Sequence, residues 1–93
     1  MQFNTQIKEL ELVEVKSKTE DINHLVLYND DVNTFEFVIE SLIEVCGHDT
    51  LQAEQCTFLV HYAGKCSVKT GSRKKLIPLA SALLDRGLTA EIN

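Results

Sequence analysis

The sequence predicts a small α/β fold, a two-layer sandwich in the order β-α-α-β-α-β with three helices on one face of a short three-stranded sheet. Three segments carry apolar residues at helical spacing, and three shorter segments are apolar or alternating, as strands are. A glycine follows each helical segment, at Gly47, Gly64 and Gly87, where a helix commonly ends. The 93 residues are enough for one small domain.

The first strand and the first helix are predicted from a change of periodicity. Residues 24–28 form an apolar run between polar clusters, which is typical of a buried strand. Over residues 35–46 apolar residues recur every three or four positions, which indicates a helix with one apolar face. Asn33 and Glu36 have the spacing of a capping box, so Asn33 is the predicted N-cap. Gly47 then ends the helix.

A second helix is predicted directly after the first. Asp49 or Thr50 has the side chain to cap its start. The apolar residues between positions 51 and 60 are spread around the helix, which predicts burial on more than one side. Gly64 is its predicted end, which places His61 in the last turn or just past it.

The remaining elements are a strand, a helix and a strand, predicted at residues 65–70, 76–84 and 88–92. Alternation of Cys66 and Val68 predicts the first of these strands, and Gly87 ends the helix before the second. Pro78 is tolerated without strain only in the first turn of a helix. The helix is therefore predicted to begin near Lys75 or to kink at its start.

Residues 1–24 are predicted to be a polar leader ahead of the domain at residues 25–93. Apolar and polar residues partly alternate at residues 10–15, which is compatible with an edge strand. The rest of the leader has the composition of a flexible spacer. We expect no signal peptide, because the N-terminus lacks a basic segment followed by an apolar one. We expect no membrane span, because no apolar run reaches eighteen residues.

Charge and cysteine content exclude several classes of function. A net charge of −5 argues against nucleic-acid binding, and the basic cluster at residues 73–75 is interpreted as a solvated helix start. Cys46, Cys56 and Cys66 are ten residues apart, which matches no zinc pattern, so they are predicted to be buried free thiols of a cytoplasmic protein. Nothing orients Cys56 and His61 as nucleophile and base. We therefore expect no metal, no cofactor and no enzyme activity.

One polar constellation has the chemistry of a binding site. Asn29, Asp30 and His61 together offer an anion and two neutral hydrogen-bond acceptors, which suit a protonated amine beside exposed apolar residues. An alternative interpretation is ordinary turn chemistry with a structural histidine at a helix end. Asp30 and Asp31 are a poor catalytic pair, because adjacent residues of a turn seldom converge on one atom. The residues alone leave the first two interpretations open.

Three motifs together resemble the ClpS family, the adaptors of the ATP-dependent Clp protease. They are Leu-Val-Leu-Tyr-Asn-Asp-Asp at residues 25–31, Thr-Phe-Glu-Phe-Val-Ile at 34–39 and His-Tyr-Ala-Gly-Lys at 61–65. The resemblance extends from about residue 25 to the end. It implies an adaptor that binds substrates by a free N-terminal Leu, Phe, Tyr or Trp. It also implies a partner, the N-terminal domain of a Clp AAA+ unfoldase, to which those N-degron substrates are delivered.

The resemblance also implies the residues of the site. The family's α-amino ligands match Asn29, Asp30 and His61. The family's hydrophobic pocket matches Phe35, Val38, Thr57, Val60 and Leu88. Asn33 replaces a threonine of the family and is expected to bond to the peptide backbone. Phe35 stands where the family commonly has Met, and Thr57 where it has a larger apolar residue, so the preferred side chain is expected to differ.

The same order of elements also resembles the C-terminal domain of the ribosomal stalk protein, which implies an alternative function. That alternative is a non-catalytic protein–protein interaction domain, since a fold alone does not fix a function. Such a domain has no need of the Asn29, Asp30 and His61 constellation, and the importance of these residues for binding therefore distinguishes the two functions.

Overall fold

All six predicted elements are present in the predicted order. They are β1 (Asn23–Tyr28), α1 (Phe35–Cys46), α2 (Thr50–Ala63), β2 (Lys65–Gly71), α3 (Arg73–Asp85) and β3 (Thr89–Ile92). The structure is a computed structural model and describes residues 22–93. The leader predicted at residues 1–24, with its possible edge strand at 10–15, lies outside the described residues except for its last three positions. In the described part no helix combines the length and apolarity needed to cross a membrane.

The sheet places β1 in the centre, with β2 on one side and β3 on the other, both antiparallel to it. Leu27 in β1 is opposite Cys66 in β2 and Ala90 in β3, and all three are buried in one hydrophobic core. The core also contains buried residues of the three helices, among them Leu42 of α1 and Leu83 of α3. The predicted two-layer α/β sandwich is thus confirmed.

The N-cap of α1 is Thr34, and the prediction of Asn33 at this position is wrong. The Thr34 hydroxyl accepts a hydrogen bond from the backbone N–H of Phe37 at 3.1 Å. The side chain of Asn33 is instead directed back to Asp30, to which it donates. Asn and Thr are both favourable N-cap residues. Because Asn33 and Thr34 are adjacent, the sequence did not show which of them caps α1.

Helix α2 begins after Asp49, whose carboxylate accepts from the backbone N–H of Gln52 at 2.7 Å. The prediction that α2 is buried on more than one side is wrong. Its buried residues are Ala53, Cys56, Thr57 and Val60. Four larger apolar side chains are more than half exposed, namely Leu51, Phe58, Leu59 and Tyr62. The helix therefore contacts the core with a narrow face of small residues and presents large ones to solvent.

Helix α3 begins at Arg73, two residues before the predicted start near Lys75. Ser72 is its N-cap and accepts from the backbone N–H of Lys75 at 3.2 Å. Pro78 consequently lies beyond the first turn, inside the helix, where its ring nitrogen has no hydrogen to donate to the preceding turn. The three basic residues at 73–75 are exposed, as a solvated helix start requires.

Candidate functional site

A cavity that is open to solvent, and that with the space at its mouth measures about 340 Å³, lies where the end of β1, the start of α1, the end of α2 and the turn between α3 and β3 meet. All nine site residues predicted from the sequence line it. Two further lining residues, Leu27 and Tyr28, were missed. Their position could have indicated them, because they immediately precede Asn29 and are the last residues of the central strand.

The end of β1 is attached to the end of α2, which brings Asn29 and His61 to the same cavity. The backbone N–H of Asn29 donates to the carbonyl of Gly64 at 3.0 Å. Gly64 has a φ of 95°, a left-handed conformation that ends α2 and that glycine adopts without strain. His61 lies in the last turn of α2, one turn before this contact. The predicted convergence of Asn29 with His61 is therefore a consequence of how strand and helix end.

The carboxylate of Asp30 is held in place by the turn that follows β1. Its Oδ1 accepts from the backbone N–H groups of Val32 at 3.0 Å and Asn33 at 3.1 Å. The side-chain Nδ2 of Asn33 lies 3.1 Å from each of the two carboxylate oxygens and donates also to the carbonyl of Gly87 at 3.1 Å. The Asn33 side chain thus connects the turn to the loop between α3 and β3.

These hydrogen bonds keep Asp30 ionised. Partial burial alone raises the pKa of the Asp30 carboxyl, but the donors from Val32 and Asn33 outweigh it, and the pKa lies below its ordinary value of 3.8. Within the described residues, Oδ2 accepts only from the Asn33 amide. A carboxylate oxygen can accept a second hydrogen bond, so Oδ2 has capacity for a ligand.

The other predicted lining residues are mostly apolar. Of these, Val38, Thr57, Val60 and Leu88 are buried, and Phe35 is half-buried. The hydroxyl of Thr57 donates to the carbonyl of Ala53 at 2.8 Å, so its hydrogen-bonding needs are met within α2. Thr57 therefore adds little polarity to the wall while occupying less volume than a larger apolar residue. The lining of the cavity thus combines a polar set, Asn29, Asp30 and His61, with an apolar set, Val38, Thr57, Val60 and Leu88.

Four aromatic side chains form a closed circuit at the rim of the cavity, which we call the rim cluster: Phe35, Phe58, His61 and Tyr62. Phe35 is edge-on to Phe58 and to His61, with ring centroids 5.5 and 4.9 Å apart. His61 is edge-on to Tyr62 at 4.6 Å, and Tyr62 stacks on Phe58 at 5.9 Å. This cluster was not predicted from the sequence, although its members at 58, 61 and 62 have the three- and four-residue spacing of one helix side.

The three cysteines are free and buried, as predicted. Burial raises the pKa of the Cys46 thiol to about 11 and that of Cys66 to about 12, so both stay protonated at neutral pH. None of the three lines the cavity, so Cys56 does not share it with His61. Residues 22–93 contain no cluster of three or more side chains suited to hold a metal ion.

Comparison with known proteins identifies relatives of this chain. The family model described as ATP-dependent Clp protease adaptor protein ClpS matches residues 18–91. The ATP-dependent Clp protease adapter protein ClpS of Salmonella gallinarum is 44% identical over 48 residues, which are 50% of this chain and 45% of that protein. The matched region thus spans less than half the length of this curated relative.

A solved structure shares the fold. Agrobacterium tumefaciens ClpS2, bound to L-phenylalaninamide, superimposes with a TM-score of 0.75 over 78% of this chain and 95% of that chain. The two sequences are 22% identical, so this similarity establishes the architecture alone.

Proposed function

Because the chain belongs to the ClpS family of Clp protease adaptors, we propose that it binds proteins by a free, bulky hydrophobic N-terminal residue: Leu, Phe, Tyr or Trp. It then delivers them to the N-terminal domain of a Clp AAA+ unfoldase in the cytoplasm, without catalysing a reaction itself. One observation supports the proposal: Asn29, Asp30 and His61 line the same cavity as Val38, Val60 and Leu88, so polar acceptors and apolar side chains share one site.

The polar set of lining residues suits a protonated α-amino group. An ammonium group has three hydrogens to donate and no acceptor, so it needs acceptors only. Asp30 provides a negative charge and a free position on Oδ2, Asn29 provides its amide oxygen, and His61 provides a ring nitrogen when neutral. Hydrogen bonds to a charged group contribute roughly 1.5–3 kcal/mol, which is enough to discriminate against an acetylated amine.

The apolar set of lining residues suits the side chain of the same residue. Full burial of a Leu or Phe side chain contributes about 1.5–3 kcal/mol. Val38, Val60 and Leu88 are buried around the cavity, so their positions are fixed before a ligand arrives. Phenylalaninamide, the ligand bound to the Agrobacterium protein, has a free amine next to a benzyl group, which is the same combination of features.

Asn33 also lines the cavity. Its Nδ2 is committed to Asp30 and to the carbonyl of Gly87. The side-chain oxygen is therefore the atom that remains for the backbone N–H of a bound peptide. The alternative function, an interaction domain like that of the ribosomal stalk, is not favoured, because the family match is to the Clp adaptors.

Fluorescence-anisotropy titration tests the proposal with a labelled peptide that begins with Leu and with its N-acetylated twin. The free peptide should bind at micromolar or lower concentration, and acetylation should abolish binding. Asp30→Ala should do the same to the free peptide, whereas Asp31→Ala, the adjacent exposed carboxylate outside the cavity, should not. Equal binding of the free and acetylated peptides would refute the proposal.

A further inference from the structure

Two members of the rim cluster, Phe58 and Tyr62, face solvent although they are aromatic. They are 51% and 75% exposed, and their rings are nearly parallel, at an interplanar angle of 12°. Exposed apolar surface of this kind, concentrated beside a cavity, is typical of a binding surface. We call this pair of stacked rings the aromatic shelf.

The shelf is continuous with the cavity. Phe58 and Tyr62 do not line the cavity themselves, but each contacts a residue that does. Phe58 is 5.5 Å from Phe35, and Tyr62 is 4.6 Å from His61, between ring centroids. The shelf therefore begins where the cavity wall ends, one side chain further along the surface.

An extended peptide bound in the cavity can reach the shelf with its third residue. Successive side chains of an extended chain point to opposite sides, so the first and third residues face the same surface. These two residues are about 6.6 Å apart along the chain, since each residue advances it by about 3.3 Å. A peptide whose first side chain fills the cavity thus directs its second side chain away from the surface and its third back towards it.

The charges at the site give the peptide a direction. In the proposed binding mode the ammonium group contacts Asn29, Asp30 and His61, and the rest of the peptide leaves the cavity across its rim, which includes His61 and Phe35. The shelf lies next to Phe35 on this path. Residues 19–64, which include the shelf, contain no Lys or Arg, so the shelf lacks a cationic neighbour within its own segment.

We propose that Phe58 and Tyr62 form a second subsite, which takes an aromatic side chain at the third position of the N-degron substrate. The subsite rests on the proposed function, because the first residue must occupy the cavity to place the third. It makes this chain selective for an aromatic residue two positions after the bulky N-terminal one.

Three C-terminally labelled peptides test the subsite, beginning Leu-Ala-Ala, Leu-Ala-Phe and Leu-Phe-Ala. Free-amine-dependent binding of the Leu-Ala-Ala peptide tests the proposed function by itself. The Leu-Ala-Phe peptide should bind about three- to tenfold more tightly than Leu-Ala-Ala, as expected for a new aromatic contact. Leu-Phe-Ala contains the same residues and should show no such gain. Equal affinities for Leu-Ala-Phe and Leu-Ala-Ala, or an equal gain for Leu-Phe-Ala, overturn the subsite while leaving the proposed function intact.

Substitutions assign the gain to the shelf. Phe58→Ala and Tyr62→Ala should each reduce the ratio of the Leu-Ala-Ala and Leu-Ala-Phe dissociation constants towards one. The ratio is the relevant quantity, because any effect transmitted through Phe35 weakens both peptides alike. Leu59→Ala is the matched control, since Leu59 is also 51% exposed on α2 but lies outside the rim cluster. A ratio that persists in both shelf variants contradicts the subsite.

Discussion

The side-chain amide of Asn33 donates to both carboxylate oxygens of Asp30, at 3.1 Å each. The same nitrogen donates to the carbonyl of Gly87, so one amide fixes the anion relative to the loop before β3. The carboxylate is therefore held in position before a ligand arrives, which reduces the entropy lost on binding.

Removal of this amide should weaken binding of the free-amine Leu peptide. In Asn33→Ala, Asp30 retains its two backbone donors but loses the side-chain donor and the connection to Gly87. We expect a loss of about 1 kcal/mol, roughly fivefold in Kd by anisotropy. Asn23→Ala, which removes a surface amide on β1 outside the cavity, is the control and should bind as the native chain does. An unchanged Kd in Asn33→Ala would remove the amide from this role.

The lowered pKa of Asp30 predicts how stability depends on pH. A carboxyl with a lower pKa in the folded state than in the unfolded state stabilises the fold above the unfolded value, here 3.8. That contribution is lost as the pH falls through the lower folded-state pKa. Urea unfolding should therefore show a constant difference in free energy between the native chain and Asp30→Asn from pH 7 to about 5. The difference should shrink below pH 3.8, and a difference that grows on acidification would contradict the assignment.

Thr57 should determine how large an N-terminal side chain the cavity accepts. It is buried in the apolar wall, with its hydroxyl bonded to Ala53. Thr57→Leu adds volume to the wall, so peptides that begin with Trp or Phe should lose more affinity than one that begins with Leu. Methylene-sized changes in such pockets correspond to about 1–3 kcal/mol, or 10- to 200-fold. Thr57→Val, which keeps the shape, is the control, and equal losses for Trp and Leu peptides in Thr57→Leu would show that position 57 does not limit size.

The elements could be predicted because each depends on local signals, whereas the residues of the apolar pocket were expected only from the resemblance to the ClpS family. Gly47 and Gly64 end their helices in the left-handed conformation that glycine favours, which fixed the helix boundaries from the sequence. The Asn-Asp pair at the end of an apolar run marked the point where the central strand leaves the sheet. The site then follows from topology, since the end of α2 contacts the end of β1.

The errors have equally specific causes. Asn33 and Thr34 are adjacent residues that both favour N-caps, and tertiary contact with Asp30 and Gly87 decided between them. The spread of apolar residues around α2 predicted burial on more than one side, but Phe58 and Leu59 are exposed. A large apolar residue on the surface is common, and periodicity does not show which faces of a helix have a partner. The rim cluster was missed for the same reason.

Gly64 connects the backbone conformation at the end of α2 to the site, because its carbonyl is hydrogen-bonded to Asn29. Its φ of 95° is strained for any residue with a Cβ, while a Cβ added there would meet no atom within 4 Å. Gly64→Ala should therefore destabilise the fold by about 1–2 kcal/mol through conformation alone, without a steric clash. The Gly64 carbonyl accepts from the N–H of Asn29. A backbone shift at residue 64 would therefore move Asn29, so the substitution should also weaken binding of the free-amine peptide.

Gly71→Ala is the matched control, since it too has open space around a Cβ but no positive φ. Urea unfolding and anisotropy on both variants decide the matter: equal stabilities would show that the left-handed conformation at Gly64 carries no cost. A destabilised Gly64→Ala with native affinity would show that the attachment of Asn29 to α2 does not position the site.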